Sequence, residues 1–478
     1  MGKIILVTGT SSGAGKSTIV TALCRILSDM GYRVAPFKAS NMSRNSVSLD
    51  DGSEIARAQW LQAVAARVSP SKEMNPVLLK PEGNRASQVI LDGRSCGVMD
   101  IAAYREFLAT KARDVVGRSL RKLAESYQVV VAEGAGSPAE INITDYDLAN
   151  TFVLENFNPV TILVADIDRG GAFASILGTL SLMRNPSSVR GIIINRMQGD
   201  ASMLGPGISA IENRTGTMFL GVVPMFHDLA IPGEDSLDYH RERLTGSRIC
   251  VIKTPYMENY SDVDPLVSFG IGFTFVDGGN SDILRCCELI VLPGSKNVFL
   301  DLEYLRETGL ERSILEAKSQ GKKIIGICGG FQILGMEISD PGGVQSHGGT
   351  FRGLGLLDVD FTYSGLKTTR QVEYITKVPQ SAPEKWFRGY EIHYGYAQRT
   401  GEPPMNLTRN GDEGAVSSDS RIFGTNIHGI LENTTFLGYL LHAEIHDDYS
   451  RSLERHIDRL ATVIRDNVDI AAILRFIS

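Results

Sequence analysis

The junction near the N-terminus, where a run of strand-like residues meets a glycine-rich loop and then a helical pattern, constrains the fold more than any other feature. Ile4 to Val7 is a continuous apolar run, as expected for a strand covered on both faces. The loop that follows is Gly9 to Thr18, and the next residues place apolar side chains on one helical face, at Ile19, Leu23, Ile26 and Leu27. Strand, loop and helix in this order predict a βα unit.

The same pattern recurs along the chain. Further short apolar runs with helical segments between them are Val129 to Ala132, Thr161 to Ala165, Gly191 to Ile194, Ile249 to Ile252, Leu289 to Leu292 and Lys323 to Ile327. This alternation predicts an α/β fold with doubly wound sheets. Because 478 residues exceed what one core usually supports, we predict two doubly wound domains, at 1–245 and 246–440. A helical tail is predicted at 441–478, where the residues from Leu453 to Ile477 carry an amphipathic stripe.

Charge and hydropathy narrow the choice of partners. The net charge of −7 and the isoelectric point near 5.7 argue against a nucleic-acid binder, which needs clustered Lys and Arg to neutralise phosphates. The sequence has no run of about 18 apolar residues that would span a bilayer, and it begins with a strand pattern rather than a signal peptide. We therefore expect a cytoplasmic protein that acts on small molecules without a membrane partner, and an oligomer is compatible with the sequence.

The loop from Gly9 to Thr18 also predicts a ligand. Backbone N–H groups at a helix N-terminus bind phosphate, a lysine reaches the outer phosphates and a hydroxyl ligates Mg²⁺. Five residues separate Gly9 from Gly15, one more than in the strict P-loop pattern, as in the dethiobiotin synthetase and ParA-like relatives of P-loop proteins. ATP and Mg²⁺ are therefore the expected ligands. The expected nucleotide-binding residues are Ser12, Gly13, Ala14, Gly15, Lys16, Ser17 and Thr18.

Three polar residues outside the loop are further candidates for the nucleotide site. Glu133 ends a predicted strand and turns toward the crevice where doubly wound sheets bind ligands, so we expect it to hold Mg²⁺ together with Ser17. Asp51 is a weaker candidate for the same ion, since an Asp-Asp-Gly turn is as often a solvated loop. Asn195 follows a later strand and either contacts a base or belongs to a plain loop.

One cysteine stands apart from the other five. Those five are scattered and predict ordinary core thiols rather than a disulfide framework or a zinc site. Cys328, by contrast, lies between a predicted strand and a helix in Gly326-Ile327-Cys328-Gly329-Gly330, which predicts a sharp nucleophile elbow. A helix N-terminus favours the thiolate, and the Gly329 N–H together with one at Gly294 is expected to form an oxyanion hole.

A cysteine nucleophile needs a base, and two histidines compete for that role. His428 follows the strand-like Arg421 to Phe423, whereas His393 lies within a strand-like segment, where a histidine is more often structural or substrate-facing. We favour His428. In many class I glutaminases, whose cysteine elbow this motif resembles, Glu follows the active histidine by two residues, but Ile430 occupies that position here. A Cys-His dyad is therefore predicted, with its third member unassigned.

With both sites in view, the chain resembles, along essentially its whole length, the cobyric acid synthase family, the glutamine-hydrolysing ligases of cobalamin biosynthesis. Beyond the phosphate loop, the resemblance is carried by the segments Phe37 to Ser43, Met74 to Pro81, Glu133 to Asn142 and Asp166 to Gly171. It implies ATP-dependent amidation of the b, d, e and g carboxylates of a corrinoid, adenosylcobyrinic acid a,c-diamide, with glutamine as the nitrogen donor. It also implies phosphate or corrinoid contacts at Lys38, Asn41, Asn75 and Lys80.

Two other functions remain open at this point. Cobyrinic acid a,c-diamide synthase shares the domain order and both catalytic motifs, although the segments around Asn41 and Asn75 favour the first family. A ParA-like ATPase that works as a positioning switch has the same phosphate loop, but it has no reason to retain Cys328 and His428 in glutaminase settings. Glutamine hydrolysis separates the ligases from the switch, and corrinoid preference separates the two ligases.

Overall fold

The computed structural model describes residues 1–83, 86–226, 229–231 and 248–477, so the boundary predicted near residue 245 lies outside the described residues. The chain divides into two compact units. The first unit consists of Met1–Ser43, Ile55–Glu234 and Leu453–Ser478, and the second of Arg44–Glu54 and Asp235–Ser452.

A parallel sheet of six strands forms the centre of the first unit. The strands and helices of this half of the chain are β1 (Lys3–Gly9), α1 (Lys16–Asp29), β2 (Val34–Phe37), β3 (Ser40–Met42), β4 (Ser46–Ser48), β5 (Glu54–Ala56), α2 (Arg57–Ala65), β6 (Val77–Gly83), β7 (Ala86–Leu91), β8 (Arg94–Asp100), α3 (Ile101–Phe107), α4 (Arg113–Ser126), β9 (Val129–Glu133), α5 (Thr151–Phe157), β10 (Val160–Asp166), α6 (Ala172–Leu182), β11 (Val189–Met197), α7 (Gly205–Thr215) and β12 (Met218–Pro224). The strand order is β12-β11-β10-β1-β9-β2. Strand β1 is flanked by two strands that come later in the chain, so its carboxyl end lies at a switch point of the sheet, where doubly wound folds bind ligands.

A second, mixed sheet of the first unit has the order β3-β6-β7-β8. Strand β3 runs parallel to β6, while β6, β7 and β8 form an antiparallel meander. The core of this unit gathers buried side chains from both sheets, including Leu6, Phe37 and Val89. The smaller sheet therefore continues the hydrophobic core of the main one.

The second unit also has a central sheet of six strands. Its strands and helices are β13 (Ile249–Ile252), β14 (Met257–Glu258), α8 (Asp264–Ser268), β15 (Thr274–Val276), β16 (Leu289–Leu292), β17 (Gly294–Ser295), α9 (Val298–Glu307), α10 (Leu310–Ser319), β18 (Lys323–Ile327), α11 (Gly329–Leu334), β19 (Glu337–Ser339), β20 (Thr350–Arg352), β21 (Val359–Thr376), β22 (Phe387–Arg399), β23 (Asn406–Thr408), β24 (Gly411–Glu413), β25 (Ala415–Val416), β26 (Ile422–Thr425) and α12 (Thr434–Leu441). The order is β15-β13-β16-β18-β26-β25, parallel except at the β25 edge. The predicted class, two doubly wound α/β domains, is confirmed.

The second unit carries a large antiparallel addition. Strands β21 and β22 pair from Val359 with Arg399 to Tyr374 with Phe387, and β19, β20, β23 and β24 complete that sheet. The hairpin brings His393, on β22, opposite Thr368. It lies outside the βα pattern that predicts the parallel sheet.

The C-terminal helices return to the first unit. They are α13 (Tyr449–Asn467) and α14 (Ile470–Ile477), and the residues from Leu453 onward belong to that unit. Arg25, on α1, is completely buried and pairs with two carboxylates of α13, Glu454 at 2.5 Å and Asp458 at 3.0 Å. A buried guanidinium with two acidic partners thus joins the tail to the nucleotide-loop helix.

We expect the double substitution Glu454→Ala and Asp458→Ala to lower the free energy of unfolding of the first unit by about 3 kcal/mol. It leaves the buried guanidinium of Arg25 without its carboxylates, and an uncompensated buried charge is costly. Urea unfolding followed by helix content measures the loss. Arg25→Met is the control. We expect it to change the free energy of unfolding by about 1 kcal/mol or less, because methionine leaves no buried positive charge that needs carboxylate partners. Equal losses in both variants would show that packing, not charge, holds the tail.

Two cysteines of the second unit lie close together. Cys250, on β13, and Cys287 are buried as expected but are paired in a disulfide, with a Cα–Cα distance of 6.0 Å, so the expectation that they are unpaired is wrong. Cys96 and Cys286 are exposed, so the expectation of core thiols is wrong for these two. The paired cysteines are 37 residues apart in sequence, a separation that gives no spacing signal.

Among the helices that the structure describes, none is both long enough and apolar enough to cross a membrane.

Candidate nucleotide and cysteine sites

The glycine-rich loop of the first unit lies at the carboxyl end of β1, at the switch point of the sheet. Gly13 and Gly15 have φ angles of +72° and +97°, in the left-handed region that favours glycine. A Cβ at Gly15 would lie 2.0 Å from Nδ2 of Asn195. Asn195 donates that amide to the carbonyl of Ala14 at 3.0 Å and is buried. The side-chain nitrogen of Asn195 therefore stabilises the loop, and a contact between Asn195 and a nucleotide base would have to use other atoms of this residue.

Lys16 opens helix α1 and joins two loops. Its Nζ donates to the carbonyl oxygens of Ser11, at 3.0 Å, and Gly136, at 3.1 Å, and the residue is 6% exposed. The Gly136 carbonyl belongs to the loop that follows β9. The ammonium group is thus held between the two loops at the carboxyl edge of the sheet, where phosphate oxygens would meet it.

Glu133, at the end of β9, is the centre of a buried polar cluster. Its carboxylate accepts hydrogen bonds from Ser17 Oγ at 2.8 Å, Lys38 Nζ at 2.9 Å and Gln62 Nε2 at 2.5 Å. Only 1% of Glu133 is exposed, and a buried carboxylate needs such partners because desolvation disfavours its charge. The structure therefore brings together Ser17, Glu133 and Lys38, and it adds Gln62, on α2, which has no sequence signal of its own.

This donor set fits Mg²⁺ bound with a nucleotide. Mg²⁺ takes oxygen ligands and is commonly held by one or two carboxylates, with phosphate oxygens and waters completing the octahedron. Ser17 and Glu133 offer a hydroxyl and a carboxylate side by side at 2.8 Å. Across the described ranges, no group of three or more His, Cys, Asp or Glu side chains is placed to hold a metal ion.

Asp51 is the weaker candidate for the same ion. It belongs to the second unit, and its carboxylate accepts hydrogen bonds from the N–H of Ser53 at 2.9 Å and from its hydroxyl at 2.5 Å. Such a bond pattern stabilises a turn. Within its own unit Asp51 therefore stabilises a turn, and its part in the magnesium site stays a prediction.

The three remaining candidates, Asn41, Asn75 and Lys80, are buried in the first unit. Asn75 donates to the carbonyls of Lys38 and Val77 and accepts from the N–H of Ala56. Asn41 donates to the side chain of Gln59 at 2.8 Å, and Lys80 is fully buried on β6. Asn75 thus organises the backbone that presents Lys38.

In the second unit, four neighbouring parallel strands end at one edge of the sheet. Asp262 follows β13, Gly294 follows β16, Cys328 follows β18 and His428 follows β26. The carboxyl ends of parallel strands meet at the same edge, so residues far apart in sequence are brought together there.

Cys328 occupies a strained turn. Its φ and ψ are 53° and −110°, and it is the N-cap of α11. A Cβ at Gly330 would lie 2.0 Å from the carbonyl oxygen of Leu292, and one at Gly326 would lie 2.5 Å from that of Gly330. The flanking glycines therefore permit the tight passage from strand to helix, and the sulfur lies at a helix N-terminus, which favours the thiolate.

The predicted oxyanion-hole residues lie beside this turn. A Cβ at Gly329 would lie 2.5 Å from the amide nitrogen of Ser295, and one at Gly294 would lie 3.3 Å from Cε1 of His428. Strand β17, which contains Gly294, pairs with β14. The two glycines thus allow close backbone packing beside Cys328 and His428, and their role as oxyanion donors stays a prediction.

His428 is held from several sides. Its Nδ1 lies 2.8 Å from Oδ2 of Asp262, whose Oδ1 accepts the N–H of Gly429 at 2.8 Å. The ring stacks on Tyr390 at 5.0 Å and is fully buried. Burial alone would lower the pKa of His428, but the Asp262 carboxylate and the hydrogen-bonded Cys328 sulfur outweigh it and raise that pKa to about 10. The structure thus places His428 between the carboxylate of Asp262 and the sulfur of Cys328, in the order of a catalytic triad.

His393, the competing histidine, faces the same pocket without contacting the sulfur in this way. Its Nδ1 lies 2.8 Å from the carbonyl oxygen of Gly395, and its Nε2 lies 4.0 Å from the carboxylate of Glu391. It lines the pocket around Cys328. This position suits contact with a substrate better than proton transfer at the thiol.

Asp262 is the residue that sequence reasoning misses. It lies 166 residues before His428, whereas the position tested in the sequence is two residues after it. The available signal is an acidic residue soon after the strand-like Ile249 to Ile252, at the same edge of the sheet as the elbow. The residue whose contacts fit the unassigned third member is therefore Asp262, which lies in the segment between β14 and α8.

The chain is similar to known proteins along both halves of its sequence. Residues 5–237 match the CobQ/CobB/MinD/ParA nucleotide binding domain, and residues 248–436 match the CobB/CobQ-like glutamine amidotransferase domain. "Probable cobyric acid synthase" of Picrophilus torridus is 49% identical over 477 residues, covering 100% of this chain and 99% of the relative. Its counterpart of the same name in Thermoplasma acidophilum is 48% identical over 478 residues, covering 99% of each chain. "Cobyric acid synthase" of a Thermoanaerobacter species is 39% identical over 495 residues, covering 98% of this chain and 97% of the relative.

The relatives span the full length of the chain, and both domain models occur in the order that the two sites require. A phosphate loop with its buried glutamate and a cysteine elbow with its histidine and aspartate are the parts of a ligase that obtains nitrogen from an amide. The chain belongs to the cobyric acid synthase family of glutamine amidotransferase ligases.

Proposed function

We propose that the protein converts adenosylcobyrinic acid a,c-diamide to adenosylcobyric acid, amidating the b, d, e and g carboxylates with ATP and glutamine. The observation that carries the proposal is the presence, in one chain, of an assembled Cys328–His428–Asp262 triad and an assembled Lys16–Ser17–Glu133 phosphate site. The names of the full-length relatives support the corrinoid substrate.

The second unit supplies ammonia. The thiolate of Cys328 attacks the side-chain amide carbon of glutamine, while the N–H groups at Gly329 and Gly294 bind the oxyanion. The imidazolium of His428 gives its proton to the leaving nitrogen, so ammonia departs and a glutamyl thioester remains. Water then attacks the thioester and passes its proton to His428, releasing glutamate and restoring the thiolate. Asp262 keeps the imidazole oriented through these steps.

The pocket around Cys328 has charges suited to the head group of glutamine. Glu258, Lys296 and Lys367 line it together with the sulfur and Gln332. A carboxylate side chain is complementary to the α-ammonium group of an amino acid, and lysines are complementary to its α-carboxylate. We infer that these three residues orient glutamine with its amide toward Cys328.

The first unit activates the acceptor. A carboxylate is a poor electrophile, so transfer of the γ-phosphate to a carboxylate oxygen of the corrinoid gives an acyl phosphate and ADP. Ammonia then attacks the acyl carbon and phosphate leaves, giving the amide. Lys16 stabilises the negative charge on the transferred phosphoryl group. Mg²⁺, held by Ser17 and Glu133, would neutralise phosphate oxygens.

The decisive experiment measures product mass after incubation with ATP, Mg²⁺, glutamine and adenosylcobyrinic acid a,c-diamide. We expect four exchanges of a hydroxyl for an amino group, dependent on ATP. Amidation of cobyrinic acid at two positions, with the diamide untouched, would instead identify cobyrinic acid a,c-diamide synthase. ATP hydrolysis without any glutamine hydrolysis would favour the ATPase switch.

We expect Asp262→Asn to reduce the turnover of glutamine hydrolysis by about 10²- to 10⁴-fold, because the amide no longer fixes the imidazole tautomer. The pH dependence of glutamine hydrolysis shows whether the loss comes from the changed charge beside His428. Asp262 helps to raise the pKa of His428 to about 10, so the imidazolium persists well above neutral pH in the native protein. Without the negative charge this pKa falls, and the alkaline limb of the profile should move to lower pH. An unchanged limb would contradict the role given to Asp262.

A further inference from the structure

An eleven-residue part of the first half of the sequence belongs to the second unit. Arg44–Glu54 lies within residues 5–237, the range that matches the nucleotide-binding family, yet it is grouped with the unit that carries Cys328. Strand β4, within this segment, is buried at all three positions. We call Arg44–Glu54 the inserted segment.

The inserted segment is hydrogen bonded to the loop that carries the aspartate of the triad. Asn259 donates its N–H to the carbonyl of Arg44 at 3.2 Å, and its Oδ1 accepts the N–H of Ser46 at 3.0 Å. Ser261 donates its N–H to Oδ1 of Asn45 at 3.4 Å. Asn45, Ser46 and Asn259 are each at most 2% exposed. These bonds are therefore shielded from water and specify the path of the loop backbone.

The same loop touches both ring nitrogens of His428. Asp262 lies 2.8 Å from Nδ1, and Nδ2 of Asn259 lies 3.4 Å from Nε2. Asn259 has a φ of +51°, a left-handed conformation that asparagine tolerates better than most residues. Ser46 binds the side chain of Asn259 directly, so the inserted segment is one step removed from the catalytic imidazole.

The inserted segment also contacts a second wall of the cysteine pocket. Glu54 forms an ion pair with Lys367 at 2.7 Å, and both side chains are largely buried. Glu54 in turn accepts a hydrogen bond from Ser46 Oγ at 2.8 Å. Gln371 donates to the carbonyl of Ser48. Because Lys367 lines the pocket around Cys328, one short segment is tied to both the triad loop and the glutamine pocket.

We propose that the inserted segment is a positioning element of the glutaminase site, in which Asn45 and Asn259 are the positioning residues that hold the 259–262 loop against His428. The proposal rests on the glutaminase activity proposed above. The second family model begins at residue 248, so the residues that it covers do not by themselves include this element. Substitutions in the inserted segment should act on turnover of glutamine, because they alter the orientation of the imidazole rather than the fold of the phosphate loop.

The test uses the full-length chain and three variants. Asn45→Ala removes the acceptor for Ser261, and Asn45→Asp keeps an acceptor in the same place. Asp50→Ala, at an exposed position of the same segment, is the matched control. For each protein we would measure kcat and KM for glutamine hydrolysis across pH, and the rate of ammonium-dependent corrinoid amidation.

We expect Asn45→Ala to lower kcat for glutamine hydrolysis about 10- to 100-fold, as displacement of a catalytic group does, with KM changed less than about twofold and ammonium-dependent synthesis retained. Asn45→Asp should restore most of the turnover, and Asp50→Ala should match the native protein. Asn259→Asp, which keeps the acceptor for Ser46 but not the donor near His428, should shift the pH profile while the protein remains folded.

Two results would overturn the proposal. Native kcat in Asn45→Ala would show that the segment does not position the loop, and a parallel loss of ammonium-dependent synthesis would show that it serves the fold generally. A native protein that synthesises the product with ammonium but never hydrolyses glutamine would refute the proposed glutaminase function itself, and the inference with it.

Discussion

Replacement of Cys328 by alanine is expected to lower glutamine-dependent synthesis by at least about 10³-fold, the scale on which loss of a covalent nucleophile is felt. Synthesis with ammonium should continue near the native rate, because ammonia then reaches the acyl phosphate without hydrolysis of glutamine. Cys328 is the N-cap residue of α11 and its sulfur donates to the carbonyl of Ile392 at 3.4 Å, so alanine removes the thiol while the elbow's backbone can persist. Product formation with each nitrogen source, followed over time, measures both effects.

A matched thiol controls for nonspecific effects of cysteine substitution. Cys286 is a free, exposed cysteine of the same unit, and Cys286→Ala should leave both activities at the native level. If Cys328→Ala retained glutamine-dependent synthesis, another nucleophile would be at work. If it lost ammonium-dependent synthesis as well, the cysteine would serve the fold or the synthetase step, and the division of labour between the two units would be wrong.

Replacement of Lys16 by alanine should have the opposite selectivity. We expect synthesis with glutamine and with ammonium to fall together by about 10³-fold, because the ammonium group that meets the transferred phosphate is lost. Glutamine hydrolysis, which takes place in the second unit, is expected to persist. The measurement pairs corrinoid amidation with direct assay of glutamate release. Together the Lys16 and Cys328 variants separate activation of the carboxylate from supply of ammonia.

Lys16 also donates to Ser11 and Gly136, so its removal could loosen the loops as well as the phosphate contact. Thermal unfolding of Lys16→Ala distinguishes the two causes, since a chemical role predicts a native melting temperature. Lys111→Ala, at an exposed position of the same unit, is the charge-matched control and should be fully active. Native synthesis by Lys16→Ala would exclude the lysine from phosphoryl transfer.

The parts of the fold that can be predicted from the sequence are those encoded locally. Strand β1 and the loop before α1 are adjacent in sequence, and the same holds for β18, Cys328 and α11, so apolar runs and glycine spacing are enough. The β21–β22 hairpin resists prediction because it is only partly buried, and its register depends on pairing across a turn rather than on a continuous apolar run.

The candidate sites show the same limit. Ser17 and Glu133 can be paired from the sequence because a phosphate loop and the end of a neighbouring strand have known relative positions in doubly wound sheets. Asp262 and Asn45 cannot be paired with their partners from the sequence, since each partner lies more than 160 residues away. Asp51 stays a prediction, because an acidic turn following early βα units can be either a metal ligand or a solvated loop.

The inserted segment has a consequence for how such an enzyme can be divided. If the chain were split into two polypeptides between the residue ranges that the two family models cover, the fragment with Cys328 would leave Arg44–Glu54 on the other fragment. Its aspartate loop would lack the partners that Asn45 and Ser46 supply. Such a fragment should hydrolyse little glutamine on its own and gain glutaminase activity when the other fragment is added. Release of ammonia would then depend on the presence of both halves of the enzyme.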